Sequence, residues 1–358
     1  MIQLAEDEMT VINWVFNEED APAIDALMNA MRSRIFGSES ERKAAVFALA
    51  KERQRSWQAA RECSFPDCNR RAIPRSHSLS RALMIEPISE AGHVLGLDVD
   101  LRSASYRMRR IGINEASTFP GFCDAHESEF EFEGKGAISD GRQLQRQLFR
   151  SICRHVYFLR HEKQSMARYI EELRLRALPL LDNELRQAGF RSDKRLVRAY
   201  LLEELFGNFE LMVAMRTENI AFDMKRWFEP HAANFGRYPG EFGFHDELLR
   251  CPSTSVAIAT VMLFADAPRR DDGTPDFSFQ YYVSFFPNDG AALIHLTALE
   301  ERRDRLVALA ELFSDSEKAA LTIQGWLRGS EHWYIRPSAW DKIGREIQDR
   351  FLEDHARI

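Results

Sequence analysis

The stretch "CSFPDC" at residues 63–68 sets two cysteines around Pro66 and Asp67, residues that favour a turn able to fold the two thiols toward each other. Structural zinc takes four tetrahedral nitrogen or sulfur ligands, usually delivered as two close pairs. The second pair lies in "FCDAH" at 122–126: Cys123 and His126 fall within one turn if a helix opens there. Cys63, Cys68, Cys123 and His126 are therefore the expected ligands of a structural Cys3His zinc site, with His77 and His93 as competitors for the histidine position. Three of the chain's 5 cysteines fall into this arrangement. The odd count and acidic start, "MIQLAEDEMTVINWVFNEED", lack the marks of a secreted disulfide protein or a signal peptide, so a cytoplasmic location is expected.

Working outward, "DAPAIDALMNAMRSRIF" reads as a helix headed by Asp20, and a second helix is expected from Ser38, with Glu41 completing a capping box, up to Cys63. Beyond the cysteines, "SLSRALMIE" reads as a brief helix stopped near Pro87. "GHVLGLDV" and "YRMRRIGI" read as strands. A long helix is expected from Ser139 to the Leu178-Pro179 pair, and another over 193–229, followed by an irregular connection over 230–254. "TSVAIATVMLF", "FSFQYYVSFF" and "AALIHLT" carry the β-branched and aromatic residues of strands, with "PNDG" as a hairpin turn between the last two. Three helical stretches over 299–355 can cover that sheet, and "EHWYIRPSAW" reads as an aromatic-packed loop. Four regions follow: a helical segment at 1–60, the zinc module at 61–140, long helices at 141–250, and a sheet with helices at 251–358.

The chain has 358 residues with 48 Lys plus Arg against 55 Asp plus Glu, a net charge of −7, so nothing global advertises nucleic acid. No apolar run approaches the ~20 residues that span a bilayer, so no membrane role is expected. The distribution of charge is more telling. Arg142, Arg146, Arg150 and Arg154 recur every four residues with no acid between them, making one slowly turning ridge on a helix. Such a ridge meets phosphates, or an acidic surface of the same protein, for which "ESEFEFE" at 127–133 is at hand. Leu144, Leu148, Ile152, Val156 and Leu159 form the packing face of that helix. Cys153 and His155 read as packing residues beside it, because i, i+2 spacing points side chains to different sides.

A two-cysteine knuckle, a histidine soon after it and a helix opened by a second metal pair resemble the zinc-containing HNH, or ββα-metal, endonucleases, which fold as treble clefs. The resemblance covers Cys63 to Phe130. Within it, "AIPRSHSLSRAL" and "INEASTFPGFCDAHESEF" look like segments of an uncharacterised group of bacterial proteins. What the HNH resemblance implies is His77 as the general base and Glu127 as an oxygen ligand for a catalytic Mg²⁺ ion. Ser76 stands where the family carries a metal ligand, and Asn114 lies too far from Cys123 to match its central Asn. Phosphate-loop, dinucleotide, HExxH and serine-elbow motifs are absent.

The expected fold is thus α+β and mainly helical, with a treble-clef-like zinc module between helices and a C-terminal antiparallel sheet covered by helices. The expected function is a zinc-containing protein that acts on nucleic acid, of HNH-like nuclease type. The resemblance suggests a bacterial defence or toxin-like setting. The rival expectation is a non-catalytic protein that binds a protein partner and uses zinc only to hold its fold.

Overall fold

A computed structural model describes residues 17–36, 55–57, 59, 61–100, 105–130, 137–271, 273–330 and 332–355. The expected helix from Ser38 to Cys63 falls mostly outside the described residues. Those described belong to two compact units, one from residues 1–53 with 162–218 and one from residues 54–161 with 219–358.

In the first unit, α1 (Ala21–Phe36) packs Ile24, Leu27, Met28, Met31 and Ile35 against apolar residues further along the chain. The helix expected to stop at Pro179 instead runs on to Gln187. Its apolar spacing continues through Leu173, Ala177, Leu181 and Leu185, all buried, and that packing outweighs the ~3 kcal/mol that an interior proline costs. Pro179 and Leu175 both face solvent, so water can take the carbonyl that loses its partner. Asp20, read as a cap for its own helix, spends its carboxylate elsewhere: it accepts from the backbone N–H groups of Arg191 at 3.2 Å and Ser192 at 2.6 Å.

The second unit is built on a seven-stranded antiparallel sheet. Two short strands, β1 (Ser76–His77) and β4 (Thr118–Phe119), pair with each other beside the knuckle. The chain between them forms the hairpin β2 (His93–Asp100) and β3 (Ser105–Gly112), which leaves the zinc module and joins the large sheet. The remaining strands are β5 (Phe244–Cys251), β6 (Val256–Leu263), β7 (Gln280–Asn288), β8 (Ala291–Leu299) and β9 (Trp333–Ile335), in the order β3-β2-β9-β6-β7-β8-β5. Two of these lie in stretches read as irregular. Strand β5 lies at the sheet edge, where most of its residues are half-buried and Phe244 alone is buried, and β9 is three residues long, too short to show a period. The expected turn between β7 and β8 is present, with Asp289 and Gly290 both at positive φ as a tight hairpin of the right twist requires.

Side-chain alternation divides the sheet into two faces. Tyr281, Val283, Phe285, Ile294, Leu296 and Ala298 point to one side and pack under the C-terminal helices Arg303–Glu311, Ser316–Arg328 and Arg345–His355. Tyr282 and Leu299 point to the other side, where Leu148, Ile152 and Val156 meet them. Those three residues sit on the helix Gly141–Gln187, here called α3, with the short helix Asp124–Glu127 as α2 and Lys194–Asp223 as α4. The zinc module is thereby fixed against one face of the sheet.

Candidate metal centre

The knuckle is a small hairpin. Cys63 N–H donates to the Arg70 carbonyl and Ala72 N–H to that of Arg61, each at 2.8 Å, so the two cysteines come to the inside of one turn. Asp67 sits at φ 56, where its short polar side chain tolerates the left-handed region better than most. Ser64 N–H donates to the Gly121 carbonyl at 2.7 Å and Ile73 N–H to that of Phe122 at 2.7 Å, joining the knuckle to the segment that carries the second pair. Gly121 has no room for a side chain: a Cβ would lie 2.4 Å from the buried ring of Phe119. Cys123 immediately precedes α2, and His126 lies within its single turn.

All four ligand atoms lie within 4.8 Å of one another. Cys68 Sγ and Cys123 Sγ are 3.8 Å apart, and His126 Nδ1 lies 3.3 Å from Cys63 Sγ and 3.5 Å from Cys123 Sγ. A tetrahedron with zinc–sulfur bonds of about 2.3 Å and a zinc–nitrogen bond of about 2.0 Å has edges of about 3.8 Å and about 3.5 Å, so the observed spacings fit zinc. The imidazole is stacked on Phe65 with ring centroids 4.0 Å apart, which fixes the direction of Nδ1. Burial pushes the Cys63 thiol up to about 11, whereas the Arg70 backbone N–H pulls Cys68 down to about 7, so the more accessible thiol is the readier to give up its proton to a metal. His77 and His93 take no part. His93 Nδ1 donates to the Ala91 carbonyl at 2.7 Å, and His77 Nδ1 donates to that of Ala116 at 3.0 Å. Among the described residues the Cys3His set is the one cluster of three or more such ligands.

Glu127, which the resemblance implies as an oxygen ligand of a catalytic ion, receives a hydrogen bond from Arg150, and Ser76 Oγ, standing where the family carries a metal ligand, accepts from Phe122 N–H at 3.0 Å.

The arginine ridge is drawn largely inward. Arg150 is 2% exposed, pairs with Glu127 and lies over the Phe130 ring at 4.5 Å. Arg146 donates to the Glu129 carbonyl at 2.8 Å. Arg154 is half-buried over Trp57 and Phe158, and Arg142 is exposed. Two of the four thus meet the acidic segment that follows the zinc helix.

His77 ends β1 in a cationic setting. Burial, then Arg150, then Arg81 and Arg75 together depress its proton affinity to about 4, against the Ala116 carbonyl, which favours the charged form. A histidine with a folded value below its unfolded one must take up a proton on unfolding, so its stabilising effect holds above about 6.5 and is lost as pH falls toward about 4. Urea unfolding across that window is expected to show a shallower acid limb in His77→Gln than in the wild type; identical slopes would exclude this.

Compared with known proteins, the chain matches no family model, no curated protein and no solved structure.

The geometry of the centre therefore stands without a relative to interpret it. The described residues contain no helix long and apolar enough to cross a membrane. What motif reading missed is a set of polar residues at helical spacing on buried faces: Gln147, Ser151 and the half-buried His155 on α3, and Asn219, Asp223, Trp227 and His231 from α4 onward. Their period of four was a signal, but each residue type taken alone resembles packing or surface.

Proposed function

We propose that this protein acts on nucleic acid through its zinc module, with His77 as the base and the arginines around it as phosphate contacts. The observation that carries this reading is the setting of His77. Its Nδ1–H is spent on the Ala116 carbonyl, so the neutral ring offers Nε2 as the basic nitrogen, the form a general base needs. Arg75 and Arg81 beside it are exposed. A phosphate drawn to them brings negative charge that offsets their effect and raises His77 back toward its ordinary range. Nε2 would then take a proton from water as the water oxygen bonds to phosphorus, and the ester oxygen leaves and is protonated by solvent. Zinc holds the hairpin and helix in register and takes no part in the step.

The rival reading, a non-catalytic protein whose zinc serves the fold alone, draws support from Ser76 accepting from Phe122 N–H and Glu127 pairing with Arg150. Binding of the full chain to single- and double-stranded DNA and RNA, titrated against salt, separates the two. Under the first reading affinity falls steeply with salt, and Arg75→Glu with Arg81→Glu lowers the slope of log affinity against log salt by about 2. Binding that is absent at low salt, or indifferent to salt, rejects the nucleic-acid reading. Cleavage that persists unchanged in His77→Ala removes His77 as the base.

A further inference from the structure

Helix α4 and the π-helical turn after it, Met224–Phe228, carry Asn219, Asp223 and Trp227 at intervals of four residues, all buried. Four helical residues advance by about 6 Å, and alternate residues of a strand by about 6.8 Å, so the two repeats run nearly in step where α4 faces β7. The first rung between them is formed: Gln280 Nε2 donates to Asn219 Oδ1 at 3.0 Å. On the next, Asp223 lies close enough to Tyr282 to help hold its hydroxyl protonated, after burial, and the Trp227 ring lies 4.6 Å from that of Tyr282. From α3 comes His155, its ring edge-on to Tyr282 at 6.0 Å and its Nε2 3.1 Å from Asp223 Oδ2.

This second rung is not closed by hydrogen bonds. Asp223 is 0% exposed, yet among the described residues neither of its oxygens receives a directed hydrogen bond. The same holds for His155 Nε2, Tyr282 Oη, Trp227 Nε1 and Gln280 Oε1. Buried polar groups are almost always hydrogen-bonded, and a buried carboxylate whose neighbour, the His155 ring, makes no directed hydrogen bond to it is a costly exception. His155 Nε2 and Asp223 Oδ2 lie 3.1 Å apart without hydrogen-bond geometry, so neither is closed off by a directed bond to the other. Two ligands of one ion can stand at such a separation. The π-turn that follows Asp223 is a local irregularity that recurs at functional sites.

We infer that this cluster is a second metal site, for one divalent cation, held by His155 Nε2 and the Asp223 carboxylate with the neutral oxygens of Tyr282 and Gln280 beside it. A donor set of one imidazole, one carboxylate and neutral oxygens, without thiolate, suits manganese, iron(II) or zinc. The Asn219 contact turns the Gln280 amide so that its oxygen is the free end, the kind of outer support that metal ligands receive. Trp227 Nε1–H supplies a donor for a water on the ion. His155 is 18% exposed and marks the way in.

The test uses the full chain, equilibrated separately with Mn²⁺, Fe²⁺ and Zn²⁺ under anaerobic conditions, freed of loose metal, and assayed by mass spectrometry for ions per chain. The wild type is expected to hold a second ion in addition to the Cys3His zinc. Asp223→Asn and His155→Gln each lose that second ion and keep the zinc, whereas Cys68→Ser loses the zinc and keeps the second ion. Bound Mn²⁺ gives a paramagnetic resonance signal that disappears in His155→Gln, a partly exposed position where substitution spares the fold if Asp223→Asn does not. A wild type that retains one ion per chain with all three metals overturns the inference, as does an unchanged second ion in either folded variant.

Discussion

Cys68→Ser is expected to lose the zinc bound at the Cys3His centre and to unfold at a markedly lower temperature than the wild type, with a fall well beyond the ~3 °C that a 1 kcal/mol change produces in a domain of this size. Structural zinc binds with about 10 to 16 kcal/mol in small zinc-finger peptides. The effect here is smaller, because the second unit buries its own core, but the ligands join two separate pieces of chain: the knuckle and the segment that runs from Gly121 into α2. With one thiolate gone, the remaining donors no longer close a tetrahedron. A chelator should reproduce the change in the wild type and have little further effect on Cys68→Ser. Zinc-free wild-type protein that unfolds at its usual temperature would show that the four residues converge without a metal.

Arg150→Ala should destabilise the protein by about 3 kcal/mol, read from urea unfolding. The guanidinium is buried and Glu127 is partly so, and removing one member of such a pair leaves the other charge uncompensated, which costs roughly 3 to 5 kcal/mol when both are enclosed. The partial exposure of Glu127 puts the expectation at the lower end. The decisive comparison is the double variant Arg150→Met with Glu127→Gln, in which no charge is stranded; it should recover most of the loss. If the double variant is as unstable as Arg150→Ala, the packing of Arg150 on Phe130, and not the charge pair, is what the protein needs.

The zinc ligands were legible because their chemistry is rare: three cysteines and a histidine in close pairs have few other uses, and the intervening turn residues state how the pairs fold. The hairpin β7–β8 was legible for a similar reason, since "PNDG" specifies backbone angles that few other sequences accept. The stop at Pro179 was misread because local propensity was weighed without the tertiary packing of Leu173, Ala177 and Leu181, which carries the helix through. Strand β9 was hidden by its length and takes its identity from Val256 and Leu95, its partners on either side. The direction of the arginine ridge was only half legible, with "ESEFEFE" and phosphate standing as equal partners for it. A repeat of four says that Arg146 and Arg150 share a face, while the acids that meet them arrive from a separate segment whose position depends on the zinc centre.

The hairpin β2–β3 leaves the treble-clef-like module between β1 and β4 and pairs with β9, with Leu95 opposite Ile335 and Gly96 opposite Tyr334, while the Tyr334 hydroxyl accepts from Ser117 N–H beside β4. Module and sheet are thus threaded into one another, each holding a piece of the other's chain. An excised fragment ending near Phe130 would keep every zinc ligand and still present a raw strand edge where β9 had been. The metal centre is therefore not a portable part: it can be lost by mutation, but it cannot be cut out and expected to behave as it does at home.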